Sequence, residues 1–225
     1  MATPGRLRRV VPVFIILFIA PLLVILLFRL GKNEYKELPY LGNPEGIDAH
    51  GDTIRHKVSD FLFTDQTGKP FGSDSLKGKI YVADFFFTHC PNICPQLTKD
   101  LKGVQEKFND DADFRIVSFS LDPKRDSAPV LQKYKEKYKI TTPQWHFLTA
   151  PKPDIIHIMG VKGYLVVEPI DGQDPDQLQH SEVVVLVDKE GHIRGNYNGL
   201  KEEDMTRLIE DAHTLYVYYA RHNHK

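Results

Sequence analysis

Residues 79–101, KIYVADFFFTHCPNICPQLTKDL, contain both cysteines of the 225-residue chain, Cys90 and Cys94. The first half is almost entirely apolar and rich in β-forming residues, a pattern typical of a central strand covered on both faces. After the cysteines, apolar residues recur at helical spacing and predict a helix with one buried stripe. That stripe consists of Leu97, Leu101, Val104 and Phe108. The cysteines therefore lie where a buried strand leads into a helix, a common place for functional residues in α/β folds.

The rest of the chain shows the same alternation of strands and helices. Residues 57–71 predict a hairpin with its turn at Thr67 and Gly68. Further strands are predicted at 114–122, 145–150, 182–188 and 192–199, and further helices at 128–140, 153–160 and 201–219. Alternating elements imply right-handed βαβ crossovers, and the last two strands imply an antiparallel edge. We therefore predict one mixed α/β domain.

A long apolar segment lies near the N-terminus. Residues 10–28 carry no charge, and nineteen residues in a helix come close to the ~30 Å of a bilayer's hydrocarbon core. A secretory signal peptide is the alternative, but its apolar part is usually about 7–15 residues long and ends at a small-residue cleavage site. We therefore predict a transmembrane anchor. Arginines are concentrated before it, which predicts that the N-terminus stays in the cytoplasm or matrix and that the remainder is exported.

These features divide the chain into three predicted parts. Residues 1–30 are the cytoplasmic tip and anchor, residues 31–56 are a polar tether rich in glycine and proline, and residues 57–225 are the folded domain. The formal net charge is −1, and the only charges before residue 30 are four arginines, so the remainder is acidic. An acidic domain lacks the basic patch of a nucleic-acid-binding protein, so no nucleic-acid partner is predicted.

The two cysteines allow three hypotheses. The helix should begin between Cys90 and Pro95, where unpaired N–H groups and the helix dipole favour thiolates, so we expect both cysteines to be acidic, accessible and close together. A structural disulfide is one hypothesis, although so short a loop contributes little stability. A catalytic redox dithiol is the second. The third is a metal site, for which two soft thiolates favour Cu(I) and a further ligand is needed for most ions.

Several histidines are candidates for that further ligand. His180 ends a turn-rich segment just before the strand at 182–188, which predicts a position on a mobile loop at a sheet end. His89 is adjacent to Cys90, but neighbouring residues of a strand point to opposite faces, so we consider it the weaker candidate. His222 and His224 have metal-like spacing but belong to a polar terminus, for which a solvated tail is the simpler interpretation.

Asp84 is an acid inside the apolar strand, six residues before Cys90. A buried carboxylate needs a partner or a raised pKa, and such a group can act as a proton relay for a nearby thiol. The alternative is that Asp84 faces a wet edge or a surface lysine. The sequence leaves both open.

Three motifs together resemble one known family. FFFTHCPNICP, at 85–95, resembles the C-P-x-x-C-P signature of the SCO family, the membrane-anchored copper proteins needed to assemble the binuclear copper centre of cytochrome c oxidase. SLDPKRD, at 120–126, resembles that family's S-x-D-P-x-x-D segment, and QHSEVVVLVDKEGHI, at 179–193, resembles the stretch with its histidine ligand.

The resemblance implies a thioredoxin-like fold with a hairpin inserted before the histidine loop. It also implies that Cys90, Cys94 and His180 are copper ligands, with Asp122 near the site. The sequence departs from the commoner family pattern at Gln179, where many members have an aspartate before the histidine. Loss of that acid could weaken the positioning of the imidazole and so the affinity for copper.

The expected function is a metallochaperone that passes copper, as Cu(I) or Cu(II), to the copper-bearing subunit of cytochrome c oxidase. Because Cu(I) binding requires reduced cysteines, a periplasmic thiol reductant or other copper carrier is an expected partner. The alternative is a thiol–disulfide oxidoreductase that uses Cys90 and Cys94 to reduce the cysteines of that oxidase subunit. The expected location is the bacterial inner membrane, with a single anchor and the folded domain in the periplasm.

Overall fold

The computed structural model describes residues 15–23, 37–165 and 182–222. The chain divides into two compact units, Met1–Lys36 and Glu37–Lys225. In the first unit, residues 15–23 are helical, beginning with a π-helical turn at Ile15–Ile19. Across the described ranges, the structure contains no helix of the length and apolar character needed to cross a bilayer. The predicted anchor at 10–28 lies only partly within those ranges, so it stays a prediction.

The second unit alternates strands and helices as the sequence predicts. Its strands are β1 (Gly46–Ile47), β2 (Thr53–Ile54), β3 (Leu62–Asp65), β4 (Pro70–Gly72), β5 (Ile80–Phe86), β6 (Phe114–Ser120), β7 (Trp145–Thr149), β8 (Val183–Val187) and β9 (Ile193–Asn198). Its helices are α1 (Ile93–Lys107), α2 (Ala128–Lys137), α3 (Pro153–Ile158) and α4 (Glu202–His222). A π-helical turn at Met159–Gly163 extends α3, and β1 pairs with β2 as a small separate hairpin.

The main sheet has the strand order β4-β3-β7-β6-β5-β8-β9. Strands β5, β6 and β7 are parallel to one another, and β8 pairs antiparallel with both β5 and β9. The predicted hairpin at 57–71 is confirmed as β3 and β4. The carboxyl ends of β5 and β6 therefore meet at one edge of the sheet, which we call the carboxyl edge. The ends at which β5 and β6 begin form the opposite, amino edge.

Both faces of the sheet are covered. Alternate residues of the central strand β5 pack into two different hydrophobic cores, one on each face. Strand β5 is buried along its whole length, as its almost entirely apolar pattern predicts. One core contains Val82 and Phe86 with the apolar faces of α1, α2 and α4. The other contains Ala83 and Phe85 with α3 and the β3–β4 hairpin. The cysteines belong to the first core, on the side of α1.

At the amino edge, a buried ion pair fixes the start of the second unit. Arg194 on β9 donates to Asp188 at 2.9 Å and to the carbonyl oxygens of Leu38 and Pro39 at 2.7 and 3.1 Å. The ring of Tyr40 lies between two guanidinium groups. Arg194 Cζ is 4.0 Å from the centre of the ring, and Arg55 Cζ is 3.9 Å from it. The later part of the predicted tether, 31–56, thus belongs to the second compact unit.

Candidate functional site

The cysteines follow a tight turn at the carboxyl edge. Strand β5 ends at Phe86, and the N–H of Cys90 donates to the carbonyl oxygen of Phe87 at 3.2 Å, which closes a turn through Thr88 and His89. Helix α1 then begins at Ile93, within the predicted interval. The junction of strand and helix is therefore only a few residues long, and it brings the sulfur of Cys90 to the first turn of the helix.

The Cys90 sulfur takes the position of a helix cap. Asn92, the residue before α1, makes no capping hydrogen bond with its side chain. Instead, the Cys94 N–H donates to Cys90 Sγ at 3.3 Å. The first N–H groups of a helix have no partner within the helix, so a sulfur placed there satisfies one of them. Pro95 costs no helical hydrogen bond for the same reason, and Cys94 accordingly lies inside α1.

The two thiols differ in acidity, which corrects the expectation that both are acidic. Burial raises the pKa of Cys90, but hydrogen bonds from the Cys94 backbone and thiol and from the N–H groups of Asn92 and Ile93 outweigh it, so the net pKa is lowered. The pKa of Cys94 is raised far above its usual value by burial, by the hydrogen bond with Cys90 and by the nearby charges of Cys90 and Asp84.

The thiols are close together, as predicted, but they are not accessible. Cys90 is 6% exposed and Cys94 is 2% exposed, and both are reduced in this structure. The expectation of open, solvent-facing cysteines is therefore wrong, because the sulfurs pack into the core beneath α1. Below them, the hydroxyl of Thr98 donates to the Cys94 carbonyl oxygen at 2.8 Å and contacts the Tyr134 hydroxyl at 2.9 Å.

Asp84 is a buried acid on the same face of the sheet as the cysteines. It is 3% exposed, and its carboxylate accepts a hydrogen bond of 2.5 Å from Ser118 on the adjacent strand. Ser118 in turn accepts a 2.9 Å bond from the indole N–H of Trp145. Burial raises the pKa of Asp84 to about 7, and the bond from Ser118 only partly opposes this. The wet-edge alternative is thus wrong, and the proton-relay hypothesis stays open.

A second buried acid, Asp126, contacts the turn that carries Cys90. Its carboxylate accepts bonds from the Thr88 hydroxyl at 2.5 Å, the Thr88 N–H at 3.0 Å and the Ser120 hydroxyl at 2.6 Å. Asp122, which the resemblance places near the site, pairs with Arg125 at 2.9 Å, and its N–H donates at 3.1 Å to the same Ser120 hydroxyl. Asp126 was not among the site residues predicted from the sequence, although it is the last aspartate of the segment that resembles the S-x-D-P-x-x-D motif.

The histidine candidates have different outcomes. His180 and Gln179 lie outside the described residues, as does His224, so their predicted roles stay predictions. His222 is exposed at the end of α4, where its ring stacks on Tyr218. Within the part of the chain that the structure describes, no three His, Cys, Asp or Glu side chains are grouped to hold a metal ion. The inserted hairpin implied before the histidine loop also falls largely outside that part.

The geometry defines a class of site, a dithiol at the start of a helix in a thioredoxin-like α/β domain. Hydrogen bonds lower the pKa of the Cys90 thiol, whereas burial and the hydrogen bond with Cys90 raise the pKa of the Cys94 thiol. Two adjacent soft sulfurs fit Cu(I), and binding would displace the proton of Cys94. The same pair fits disulfide exchange, in which the thiolate attacks and the neighbouring thiol resolves the mixed disulfide.

Comparison with known proteins identifies the family. The sequence model of SCO1/SenC matches residues 50–216, and the chain belongs to this family. The SCO1 protein homolog of Bacillus subtilis is 33% identical over 163 residues, which cover 72% of this chain and 83% of that protein. The chain is thus similar to SCO proteins over nearly all of the second unit.

Solved structures agree with the fold. BsSco, described as a member of the Sco family of cytochrome c oxidase assembly proteins with a disulfide switch, is 30% identical, with a TM-score of 0.62 and coverage of 78% of this chain and 96% of that one. ScoI of Arabidopsis thaliana, solved with copper bound, is 27% identical, with a TM-score of 0.57 and coverage of 72% and 99%. These similarities confirm the mixed α/β, thioredoxin-like fold.

Proposed function

We propose that this protein is a copper-binding metallochaperone that helps to assemble the copper centre of cytochrome c oxidase. Cys90 and Cys94 would hold Cu(I) between their sulfurs, and His180 would add an imidazole ligand for Cu(II). The observation that carries the proposal is the placement of two adjacent sulfurs at the first turn of α1, with the Cys94 N–H bound to Cys90 Sγ. Relatives described with bound copper and as oxidase assembly proteins support it.

The cellular setting is part of the same proposal. The uncharged segment 10–28 would anchor the chain in the bacterial inner membrane, with the second unit in the periplasm. The acceptor would be the copper-bearing oxidase subunit. Because an exported dithiol tends to be oxidised, a periplasmic thiol reductant or another copper carrier would keep the site ready for loading.

Copper stoichiometry and absorption of the reduced full chain test the proposal. We expect one copper per chain, and a charge-transfer band from thiolate to Cu(II). The variant Cys90→Ser should abolish tight Cu(I) binding, because a single thiol is left, whereas His180→Ala should spare Cu(I) and weaken Cu(II). His192→Ala is a matched control, since that histidine lies at the amino edge, where its Nδ1 bonds to the His56 carbonyl oxygen at 2.9 Å.

Two results would contradict the assignment. If the reduced chain bound no stoichiometric copper, the metallochaperone proposal would be wrong. If His180→Ala left Cu(II) affinity and the absorption band unchanged, His180 would not be a ligand, while the cysteine assignment would stand on the Cys90→Ser result.

A thiol–disulfide oxidoreductase is the second candidate function, favoured by the difference in acidity between the two thiols. A lowered pKa at Cys90 suits the attacking thiolate, and a protonated Cys94 beside a buried Asp84 suits a resolving thiol whose proton must be removed. Rapid exchange with a model disulfide in a chain that takes up no copper would establish this function instead.

A further inference from the structure

His89 occupies a turn rather than a strand, which removes the argument against it as a copper ligand. Strand β5 ends at Phe86, and the bond from Cys90 N–H to the Phe87 carbonyl oxygen places His89 at the third position of a four-residue turn. Opposite-facing neighbours are a property of extended strands and do not apply here. The imidazole and the Cys90 sulfur therefore need not lie on opposite faces.

The hydrogen bonds around Thr88 fix which ring nitrogen of a neutral His89 carries the proton. Asp126 as a carboxylate can only accept hydrogen bonds, so the single hydroxyl proton of Thr88 goes to Asp126, at 2.5 Å. The Thr88 oxygen must then accept from His89 Nδ1, which lies 3.1 Å away. The Nδ1 atom accordingly bears the proton, and Nε2 presents its lone pair.

This arrangement is the one that proteins use to prepare a histidine for a metal. Histidine ligands generally donate their second ring N–H to a carboxylate or another oxygen, which sets the tautomer and orients the ring. Here the carboxylate of Asp126, completely buried, acts through Thr88, and it also lies 3.8 Å from His89 Nδ1. The described histidine nearest in sequence to the cysteines is thus built like a ligand.

Exposure gives His89 a different role from the cysteines. Its side chain is 57% exposed, whereas the two thiols are almost completely buried. The imidazole is therefore open to copper arriving from solvent or from a carrier, whereas the sulfurs are not. Imidazole binds copper, and the softer thiolates are the better ligands for Cu(I), so the ion would move inward from nitrogen to sulfur.

We propose that His89 is a transient copper ligand at the mouth of the dithiol site, held in its metal-binding tautomer by the Thr88–Asp126 pair. The inference rests on the proposed metallochaperone function. A bond forms between Cu(I) and His89 Nε2 as one bond between Cu(I) and the donor molecule that carries it breaks. A Cu–S bond to Cys90 then replaces the remaining donor bond, and a Cu–S bond to Cys94 replaces the bond to His89. The thiol protons that Cys90 and Cys94 give up on binding pass to solvent, and copper stays Cu(I) throughout.

Loading kinetics of the reduced full chain test this role. Cu(I) supplied as its bicinchoninate complex reports uptake through the loss of the complex's absorbance. His89→Asn is the informative variant, because the asparagine amide can donate to Thr88 Oγ1 in place of Nδ1–H while no Nε2 remains. We expect loading to slow by about tenfold or more, with one copper per chain at the end point.

Two further variants separate the role of the His89 imidazole from that of the Thr88 hydroxyl that orients it. Thr88→Val removes the hydroxyl that fixes the tautomer, and it should slow loading by a smaller factor than His89→Asn, because either nitrogen can then carry the proton. His50→Asn is the matched control, since His50 is also exposed but lies in the hairpin of β1 and β2. It should load at the rate of the unaltered chain.

The outcomes distinguish this inference from the proposed function. If the unaltered chain loads and His89→Asn loads equally fast, the transient role is wrong and the metallochaperone function stands. If His89→Asn lowers the copper stoichiometry, His89 is a permanent ligand and the transient role is also wrong. If the unaltered chain takes up no copper, the proposed function fails, and this inference fails with it.

Discussion

Buried aspartates lie towards both edges of the sheet, but their partners differ. At the amino edge, Asp188 faces a cation, Arg194, whose other donors bind backbone carbonyl oxygens. At the carboxyl edge, the hydrogen bonds that Asp84 and Asp126 accept come from hydroxyl groups and a backbone N–H. The first arrangement neutralises the charge within the fold, and the second keeps an acidic group close to the thiols.

The difference shows how one residue type serves stability at one edge and chemistry at the other. A buried ion pair with its hydrogen bonds complete gives a fixed structure, and removing one partner leaves a stranded charge. Burial raises the pKa of Asp84, which has a serine hydroxyl as its partner, to about 7, so this acid can exchange a proton near neutral pH. Three substitutions test this contrast.

The largest effect on stability is expected from Arg194→Leu. It leaves the Asp188 carboxylate buried without its cation, which should lower the free energy of unfolding by about 3–5 kcal/mol. Urea unfolding followed by circular dichroism measures this loss. Arg207→Leu is the control, because Arg207 forms a partly exposed pair with Asp204 at 3.1 Å and should cost about 1 kcal/mol or less. Equal losses in the two variants would contradict a special role for the buried pair.

A smaller effect, of opposite sign, is expected from Asp84→Asn. The folded pKa of Asp84 is raised to about 7, so between about pH 4 and pH 7 the unfolded chain loses a proton that the folded chain keeps. Stability therefore falls as pH rises through that window, and the asparagine variant should lack this fall. Above pH 7 we expect the variant to be more stable by about 2–4 kcal/mol.

Unfolding curves at pH 4, 6 and 8 measure the Asp84 effect. Asp65→Asn, at the end of β3, provides the matched comparison, because hydrogen bonds from Thr67 and Lys69 outweigh burial and lower the pKa of Asp65. Its stabilising contribution is present at neutral pH and is lost as pH falls, so this variant should be less stable at pH 8. The same pH dependence in Asp84→Asn and in the unaltered chain would show that Asp84 does not titrate as described.

The smallest effect is expected from Tyr40→Leu. Removing the ring between the guanidinium groups of Arg55 and Arg194 should cost about 1 kcal/mol of unfolding free energy. The alkylation rate of Cys90 should not change, since the ring lies at the opposite edge of the sheet. Tyr40→Phe keeps the aromatic face and should lose less. A changed alkylation rate in Tyr40→Leu would show that the two edges are coupled.

Local patterns predicted the elements well because hydrophobic periodicity reports burial directly. The largely apolar run at 79–88 became β5, and the stripe that starts at Leu97 became the buried face of α1. The position of the site was equally readable, since Cys90 stands in the short segment that joins β5 and α1 and Cys94 stands in the first turn of α1. The three motifs also sufficed to predict the family.

Contacts between distant parts of the chain were beyond the sequence. Asp126 contacts Thr88 across 38 positions, and Arg194 binds the Leu38 carbonyl oxygen across 156. No local pattern indicates which of several aspartates meets a given hydroxyl, because that depends on how strands pair and where turns end. The argument that made His89 the weaker candidate treated it as a strand residue, whereas it lies in a turn, since the end of β5 could not be fixed to one residue.

The sequence by itself determined that a buried strand leads two cysteine sulfurs to the start of a helix, because hydrophobic periodicity and the spacing of the cysteines are properties of neighbouring residues. Only the tertiary structure decided that Cys90 is the acidic thiol and Cys94 the protonated one. A pKa depends on desolvation, hydrogen bonds and nearby charges, and those are set by side chains such as Asp84 that packing brings to the thiols from elsewhere in the chain.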